Sequence, residues 1–428
     1  MRNFTFCVAL LLGLACSVNA VTYNAVVAKD GTGNYTTMQA AFNGVPSNSS
    51  SRYVIYIKNG TYKEMLTLAS GKNNVTIIGQ SRDGVILTYD NYATRINPST
   101  GAQYGTSGSS STYIKGSGFY ALNVTFQNSA GPVGQALAIY VSGDKAVFNN
   151  CNFKGNQDTY YADRCRQYCI NCYFEGTTDF IFGPSTAVFQ SCTIYSKGGT
   201  ALTAASTESY VTYGYVFLNC SISGASGVKT DLGRPWRPYA AVAYLNCSMT
   251  SIINAAGWDD WGNSANQATA RYGEYNNTGA GSSMTGRPAW IKRITAAQAA
   301  SYMISVLKTT YANPPATDNW DPNAVINATK SAEADNDILS AGVQSQNAPS
   351  INIFPNPITD NRINIVLNDF DLTEGITVNI FDLQGKLVYE QNFRGTSELT
   401  INTSLKSGLY MVKVKGANAT LVKKIVIK

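Results

Sequence analysis

Short segments with alternating apolar and polar positions recur through the middle of this chain, and each carries a cysteine at the same place. They are Val147–Phe153, Tyr168–Phe174, Val188–Ile194, Val216–Ile222 and Ala243–Met249. Leu122–Phe126 fits the same frame with Val124 where the others have cysteine. The cysteines, Cys151, Cys172, Cys192, Cys220 and Cys247, are spaced 21, 20, 28 and 27 residues apart. A period of two predicts strands. Repetition every 20 to 30 residues, with Gly and Asn between, predicts coils that bury their inner faces only by stacking. The expected fold is all-β: a right-handed parallel β-helix followed by a small β-sandwich. Helical periodicity appears only at Thr37–Val45 and Thr295–Tyr311, and the first would cap the open end of the solenoid.

The rhythm stops after Trp320-Asp321-Pro322. Residues 325–348 are polar and rich in Ala, Ser and Asn, which reads as a linker. From Ile351 short alternating strands return, predicted at Ile363–Leu367, Ile376–Asp382, Lys386–Glu390, Glu398–Ile401, Gly408–Lys415 and Thr420–Ile427. The other end reads as an export signal: Arg2, an apolar stretch Val8–Ala15, and a small-residue cleavage site Val18-Asn19-Ala20. No later run reaches the roughly 18 apolar residues that a membrane span needs. The expected divisions are a signal peptide 1–20, a β-helix domain 21–323, a linker 324–348 and a C-terminal domain 349–428.

Composition narrows the chemistry. There is no histidine in 428 residues, so no Ser-His-Asp or Cys-His arrangement can form and no imidazole can bind a metal. Catalysis would have to run on carboxylates. Removing the signal leaves seven of nine cysteines, an odd number, so at least one thiol is free. They read as an interior ladder of small apolar residues. Rung spacing would also admit one bridge, Cys151–Cys172, and Cys165–Cys169 is a second candidate. No metal and no cofactor are expected. The net charge of +6 suits an acidic polymer, while the lack of Lys/Arg clusters argues against nucleic acid. A monomer is expected.

Coil arithmetic then gathers polar residues on one face. Gln135 to Gln157 is 22 residues, Gln135 to Asp158 is 23, and Asp158 to Asp179 is 21. Residues one coil apart face the same way, so two carboxamides and two carboxylates would converge. Stacked carboxylates titrate as a coupled pair, one ionised and the other protonated for longer. That separates a nucleophile or base from an acid, although spacing treats the two aspartates alike. A purely structural polar ladder would use the same residues.

Here the motifs resemble a family. Gln135-Ala136-Leu137-Ala138, Gln157-Asp158-Thr159, Asp179-Phe180-Ile181-Phe182-Gly183 and Leu232-Gly233-Arg234-Pro235-Trp236 occur in the order and near-spacing of pectin methylesterases. Lys29–Ala41, Ile55–Glu64, Gly257–Trp261 and Glu274–Asn277 are similar to further blocks of the family, so the likeness covers roughly residues 22–322. It implies hydrolysis of methyl esters of galacturonate units in pectin. By resemblance Asp179 is the nucleophile, Asp158 the general acid and then base, and Gln135 and Gln157 the oxyanion donors. Arg234 holds Asp179 ionised, Trp236 and Phe182 contact the sugar and ester methyl, and Thr106 is a further substrate contact. Asn156 and Asp231 stand where the family often has Tyr, and Thr178 where it usually has Val.

The C-terminal domain resembles type IX secretion sorting domains through Phe354-Pro355-Asn356-Pro357, Ile380–Lys386 and Ser407-Gly408-Leu409-Tyr410. That implies engagement of the secretion machinery through 349–428, at the surface of or outside a Gram-negative bacterium. A carbohydrate-binding sandwich is the plain alternative for this domain. The rivals for the main domain are another pectin-active β-helix enzyme (a polygalacturonase or pectate lyase) and an inactive wall-binding β-helix.

Overall fold

The computed structural model describes residues 23–329 and 350–428, except 355, 359, 360, 369, 371, 373, 418 and 419. The expected signal peptide and residues 330–348 of the expected linker lie outside the described residues. The chain falls into two compact units, which divide between residues 333 and 334. Among the described residues no helix is long and apolar enough to cross a membrane.

The first unit is a parallel β-helix. Its strands form three sheets of eleven, eight and seven strands, and each strand pairs in parallel with the equivalent strand of the next coil. One coil runs through Ala146–Asn149 in the eleven-stranded sheet, Asn152–Lys154 in the eight-stranded sheet and Tyr160–Ala162 in the seven-stranded sheet. The chain then returns to Arg166–Ile170, one rung along, with Phe148 beside Cys169.

The corner between the eleven- and eight-stranded sheets explains the repeated motif. Each corner is a residue of left-handed conformation. Asn123, Asn150, Asn171, Ser191, Asn219, Asn246 and Asn276 have φ between 49° and 58°, a region that asparagine tolerates better than most residues. Their carboxamides bond along the stack, Asn150 Nδ2 to Asn123 Oδ1 and Asn276 Nδ2 to Asn246 Oδ1, both at 2.7 Å.

At five of these corners the next residue is a cysteine that points into the core. Its thiol donates to a carbonyl of the preceding coil: Cys172 to Phe148 (3.4 Å), Cys192 to Cys169 (3.5 Å), Cys220 to Phe189 (3.3 Å). All seven described cysteines are buried and free. The bridges Cys151–Cys172 and Cys165–Cys169 are therefore absent, and Cys151, Cys165 and Cys172 instead donate to the carbonyls of Ala121, Val141 and Phe148. Stacked rings fill the remaining interior, Phe153 on Phe174 at 4.5 Å and Phe189 on Phe217 on Tyr244 at 4.6 and 4.3 Å.

The first expected helix forms as Met38–Gly44, with the Thr37 hydroxyl accepting from the Ala40 amide and Met38, Ala41 and Phe42 buried. The second expectation needs correction. Thr295–Tyr311 is not one helix but a short turn of α-helix, Ala296–Ala299, and a separate 3-10 turn, Ile304–Lys308. Between them Met303 is extended and the Tyr302 ring packs edge-on against Tyr213 at 5.4 Å. This lets Val306 and Leu307 bury against the outer face of the solenoid. Residues 323–329 are helical, with Ile326 in the same apolar cluster. Residues 324–329, expected in the linker, are thus helical.

One ionic staple fastens this final segment. The Arg166 guanidinium is 1% exposed and donates to both oxygens of Asp144 (3.1 and 2.6 Å), both oxygens of Asp318 (2.6 and 2.9 Å) and the Leu307 carbonyl (3.0 Å).

The second unit has a three-stranded and a four-stranded antiparallel sheet enclosing a core that includes Ile363, Ile365, Val378, Ile380, Val412, Val414 and Ile425, a β-sandwich. The six expected strands form, and Ser350–Phe354 adds a seventh that the motif around Phe354 had obscured.

Candidate active site

The site lies outside the seven-stranded sheet, on the corner that follows the eight-stranded one. Strand register puts Tyr160 beside Ile181, so Asp158 and Asp179, each two residues upstream, occupy the same position on adjacent coils. Both have left-handed backbones, φ 62° and 53°. The backbone fixes each of them, Asp158 N–H to Thr178 O at 3.2 Å and Asp179 N–H to Ala201 O at 2.7 Å. Gln157 precedes Asp158 on its own coil, and Gln135 enters from the coil before. The Gln135 carbonyl accepts from Ala93 (2.9 Å) and the Gln157 carbonyl from Ala136 (3.2 Å). Their carboxamides make no hydrogen bond among the described residues and are free for a ligand.

Arg234 arrives from Asp231–Pro235, further along the stack, and pairs with Asp179 through two parallel bonds, Nε to Oδ1 at 3.0 Å and Nη2 to Oδ2 at 2.7 Å. Register aligns Arg234 with Ala204 and Ala204 with Phe182. The small Ala204 leaves the gap that the guanidinium crosses. Gly233 allows the strand to sit close, since a Cβ there would collide with the Thr203 hydroxyl. The opposite face of Arg234 lies over the Trp261 ring, 3.9 Å from its centroid.

These groups line one cleft of about 190 Å³: Thr106, Gln135, Gln157, Asp158, Asp179, Phe182, Arg234 and Trp236, with Ala204 and Trp261. The structure thus brings together all eight residues singled out from sequence. It adds Trp261, which the sequence offered only inside Gly257-Trp258-Asp259-Asp260-Trp261. Trp258 of that block is buried and bonded to Glu274 (2.9 Å), so aromaticity alone could not tell the two apart. The substituted positions Asp231 and Asn156 serve as structural groups, Asp231 accepting from Asn254 at 2.9 Å and the Asn156 carbonyl from Thr159 at 3.0 Å.

The two carboxyls differ electrostatically. Burial and the nearby Asp179 push Asp158 up to about 8, and Arg234 opposes this only weakly. Asp158 has no hydrogen-bond partner for its carboxyl among the described residues. Burial also raises Asp179, but its direct bonds to Arg234 pull the other way. Near neutrality the arrangement therefore pairs a protonated acid with a carboxylate held by a fixed cation, and two open amide donors flank them. Such a set can attack an ester carbonyl, hold the oxyanion and protonate the alcohol. Among the described residues no group of His, Cys, Asp or Glu could hold a metal ion.

The sequence model of the pectinesterase family matches residues 24–308. The chain belongs to the pectinesterase family. It is 39% identical over 282 residues to pectinesterase 31 of Arabidopsis thaliana, spanning 64% of this chain and 89% of that one. It spans about half the length of other plant pectinesterases that it matches. Among solved structures it is similar to the pectin methylesterase from carrot (TM-score 0.64, 34% identity), over 67% of this chain and 93% of that one. It is also similar to a pectin methylesterase in complex with a hexasaccharide (TM-score 0.60, 31% identity), over 71% and 99%. Residues 352–428 match the secretion system C-terminal sorting domain, which indicates secretion or a cell-surface location.

Proposed function

We propose that this pectinesterase hydrolyses the methyl esters of galacturonate units in pectin, with Asp179 as nucleophile and Asp158 as acid and then base. The observation that carries the assignment of roles is the unequal environment of the two carboxyls: Arg234 holds Asp179 through two bonds, and Asp158 is left unpaired and raised to about 8.

An Asp179 oxygen attacks the ester carbonyl, and the carbonyl π electrons move to oxygen. The Gln135 and Gln157 amides donate to that oxyanion. Collapse breaks the carbon–methoxy bond, Asp158 gives its proton to the leaving oxygen, and methanol departs. This leaves an anhydride between Asp179 and the sugar carboxyl. Asp158, now a carboxylate, takes a proton from water, and the resulting hydroxide attacks the anhydride. The products are the Asp179 carboxylate and the galacturonic acid unit, which ionises by giving its proton to solvent, and Asp158 is again protonated. Phe182 and Trp236 receive the apolar face of the sugar and the ester methyl, with Thr106 at the rim.

The test follows three products of one incubation with highly methylated pectin: methanol, reducing ends and unsaturated chain ends. Methanol alone is the expected result. Reducing ends without methanol would replace the esterase by a polygalacturonase, and unsaturated ends would replace it by a lyase.

The proposed processing divides the chain into a signal peptide 1–20, a catalytic domain, a linker ending at 348 and a sorting domain 349–428 that engages secretion machinery of a Gram-negative bacterium. Deleting 349–428 should strand active enzyme in the periplasm, and unchanged secretion would refute that role.

A further inference from the structure

Arg234 is gripped on two sides. Asp179 takes the edge of its guanidinium through two in-plane bonds. The Trp261 ring covers its face, with the guanidinium carbon 3.9 Å from the ring centroid. Attack by Asp179 uses the edge contact alone.

The face contact is nevertheless built. Trp261 has a left-handed backbone, φ 64°, a region that a bulky residue enters only when its surroundings hold it there. The hold is Asp259, whose carboxylate accepts from the Trp261 amide at 2.7 Å. The loop that carries both is docked on the strand of Arg234. The Leu232 amide donates to the Gly257 carbonyl at 2.7 Å, and the Asp259 amide to the Gly233 carbonyl at 3.3 Å. Beneath the loop, the Trp258 indole donates to Glu274 at 2.9 Å, and Glu274 pairs with Arg287 at 2.7 Å, each of these two side chains 2% exposed. This buried ion pair touches none of the reacting groups. It anchors the loop.

An aromatic face attracts a guanidinium and keeps water from that side of it. Without the ring, the arginine stem samples other rotamers and its charge is better screened.

We propose that Trp261, held by Asp259, is a positioning residue that clamps Arg234 onto Asp179 and so aims the nucleophile. The inference rests on the pectin-ester reading and deepens it. Burial raises the Asp179 carboxyl, Arg234 lowers it, and Asp259 raises it again. The other groups facing it are Asp158, raised to about 8, and Tyr272, raised by burial and so neutral. Arg234 is thus the cation that opposes burial, and loosening it raises Asp179 further.

Methanol release by the full chain tests this. Trp261→Leu removes the π face and keeps much of the apolar bulk. It should lower kcat about tenfold with KM little changed. It should also move the acid limb of kcat/KM to higher pH. Trp261→Phe restores a ring and should recover part of both effects. A raised KM with kcat and acid limb unchanged would make the ring a sugar platform and overturn the proposal. Full kcat in Trp261→Leu overturns it as well. Asp259 is exposed, so a second pair of variants leaves the core untouched. Asp259→Asn keeps an acceptor for the Trp261 amide and Asp259→Ala does not, so the alanine variant should have the lower kcat at neutral pH. Equal rates of these two overturn the proposal. Absence of methanol from wild type instead overturns the esterase reading itself.

Discussion

At the scale of single residues, chemistry turns on how one arginine breaks the symmetry of two aspartates. Asp179→Asn removes the attacking oxygen, and methanol release should fall by about 10³-fold or more. Full retention would reassign the nucleophile. Gln157→Ala should lower kcat by about 10²-fold by removing one oxyanion donor. The pH profile follows from the shifts. Asp158 must carry its proton for methanol to leave, so kcat/KM should decline through about pH 8, while Asp179 sets an acid limb above the ordinary carboxylate range. A profile flat through pH 8 would count against Asp158. Stability is linked to the same proton. The folded state raises this carboxyl above its unfolded value, so Asp158 destabilises the fold increasingly as pH rises from about 4 to about 8. Asp158→Asn should therefore gain thermal stability over wild type between pH 5 and pH 9, measured as the growing difference in Tm. The sequence displayed both aspartates, both glutamines and the arginine, because each lies in a motif at coil spacing. Coil spacing did not display their division of labour, which only the family resemblance implied. That division depends on Arg234 crossing the space above Ala204, a relation between residues 30 positions apart that no local pattern encodes.

At the scale of elements, the strand pattern was legible because it repeats, and repetition compounds a weak local signal. The corner was half-legible. Cysteine stood out, yet the residue before it carries the left-handed turn. Asn150→Ala should cost about 1–2 kcal/mol, since it forces alanine into that region and breaks the bond to Asn123. Chemical denaturation would register this, and Asn150→Gly should restore part of the loss. Rung spacing also suggested disulfides, because a suitable Cα separation is necessary for a bridge but says nothing about thiols already donating to carbonyls. Melting should therefore be unaffected by reductant. The segment 295–311 shows the reverse failure: its periodicity is helical, but burial of Val306 and Leu307 against the solenoid outweighs the weak preference of a short helix.

For the whole molecule, the Arg166 staple joins a loop at Asp144 to the returning segment at Leu307 and Asp318. Arg166→Met should destabilise the β-helix unit by about 2–3 kcal/mol, less than for a fully buried network because Asp144 and Asp318 remain partly solvated. Bonding to Arg166 holds Asp318 below the usual carboxylate range, so its contribution is present above about pH 4 and disappears as acid protonates it. The staple was invisible in sequence, since its partners are 22 and 152 residues away. The asparagine corners have a consequence of another kind. Each turns on a single left-handed residue, whereas the connections leading to Tyr160, Ile181 and Asp231 differ in length. A fixed corner resets the phase of every coil, so additions elsewhere in the coil do not accumulate along the stack. The ester-cleaving face is built on the freely variable side. This architecture can therefore acquire new polymer preferences by lengthening or trimming those connections, with the geometry of the two aspartates insulated from the change.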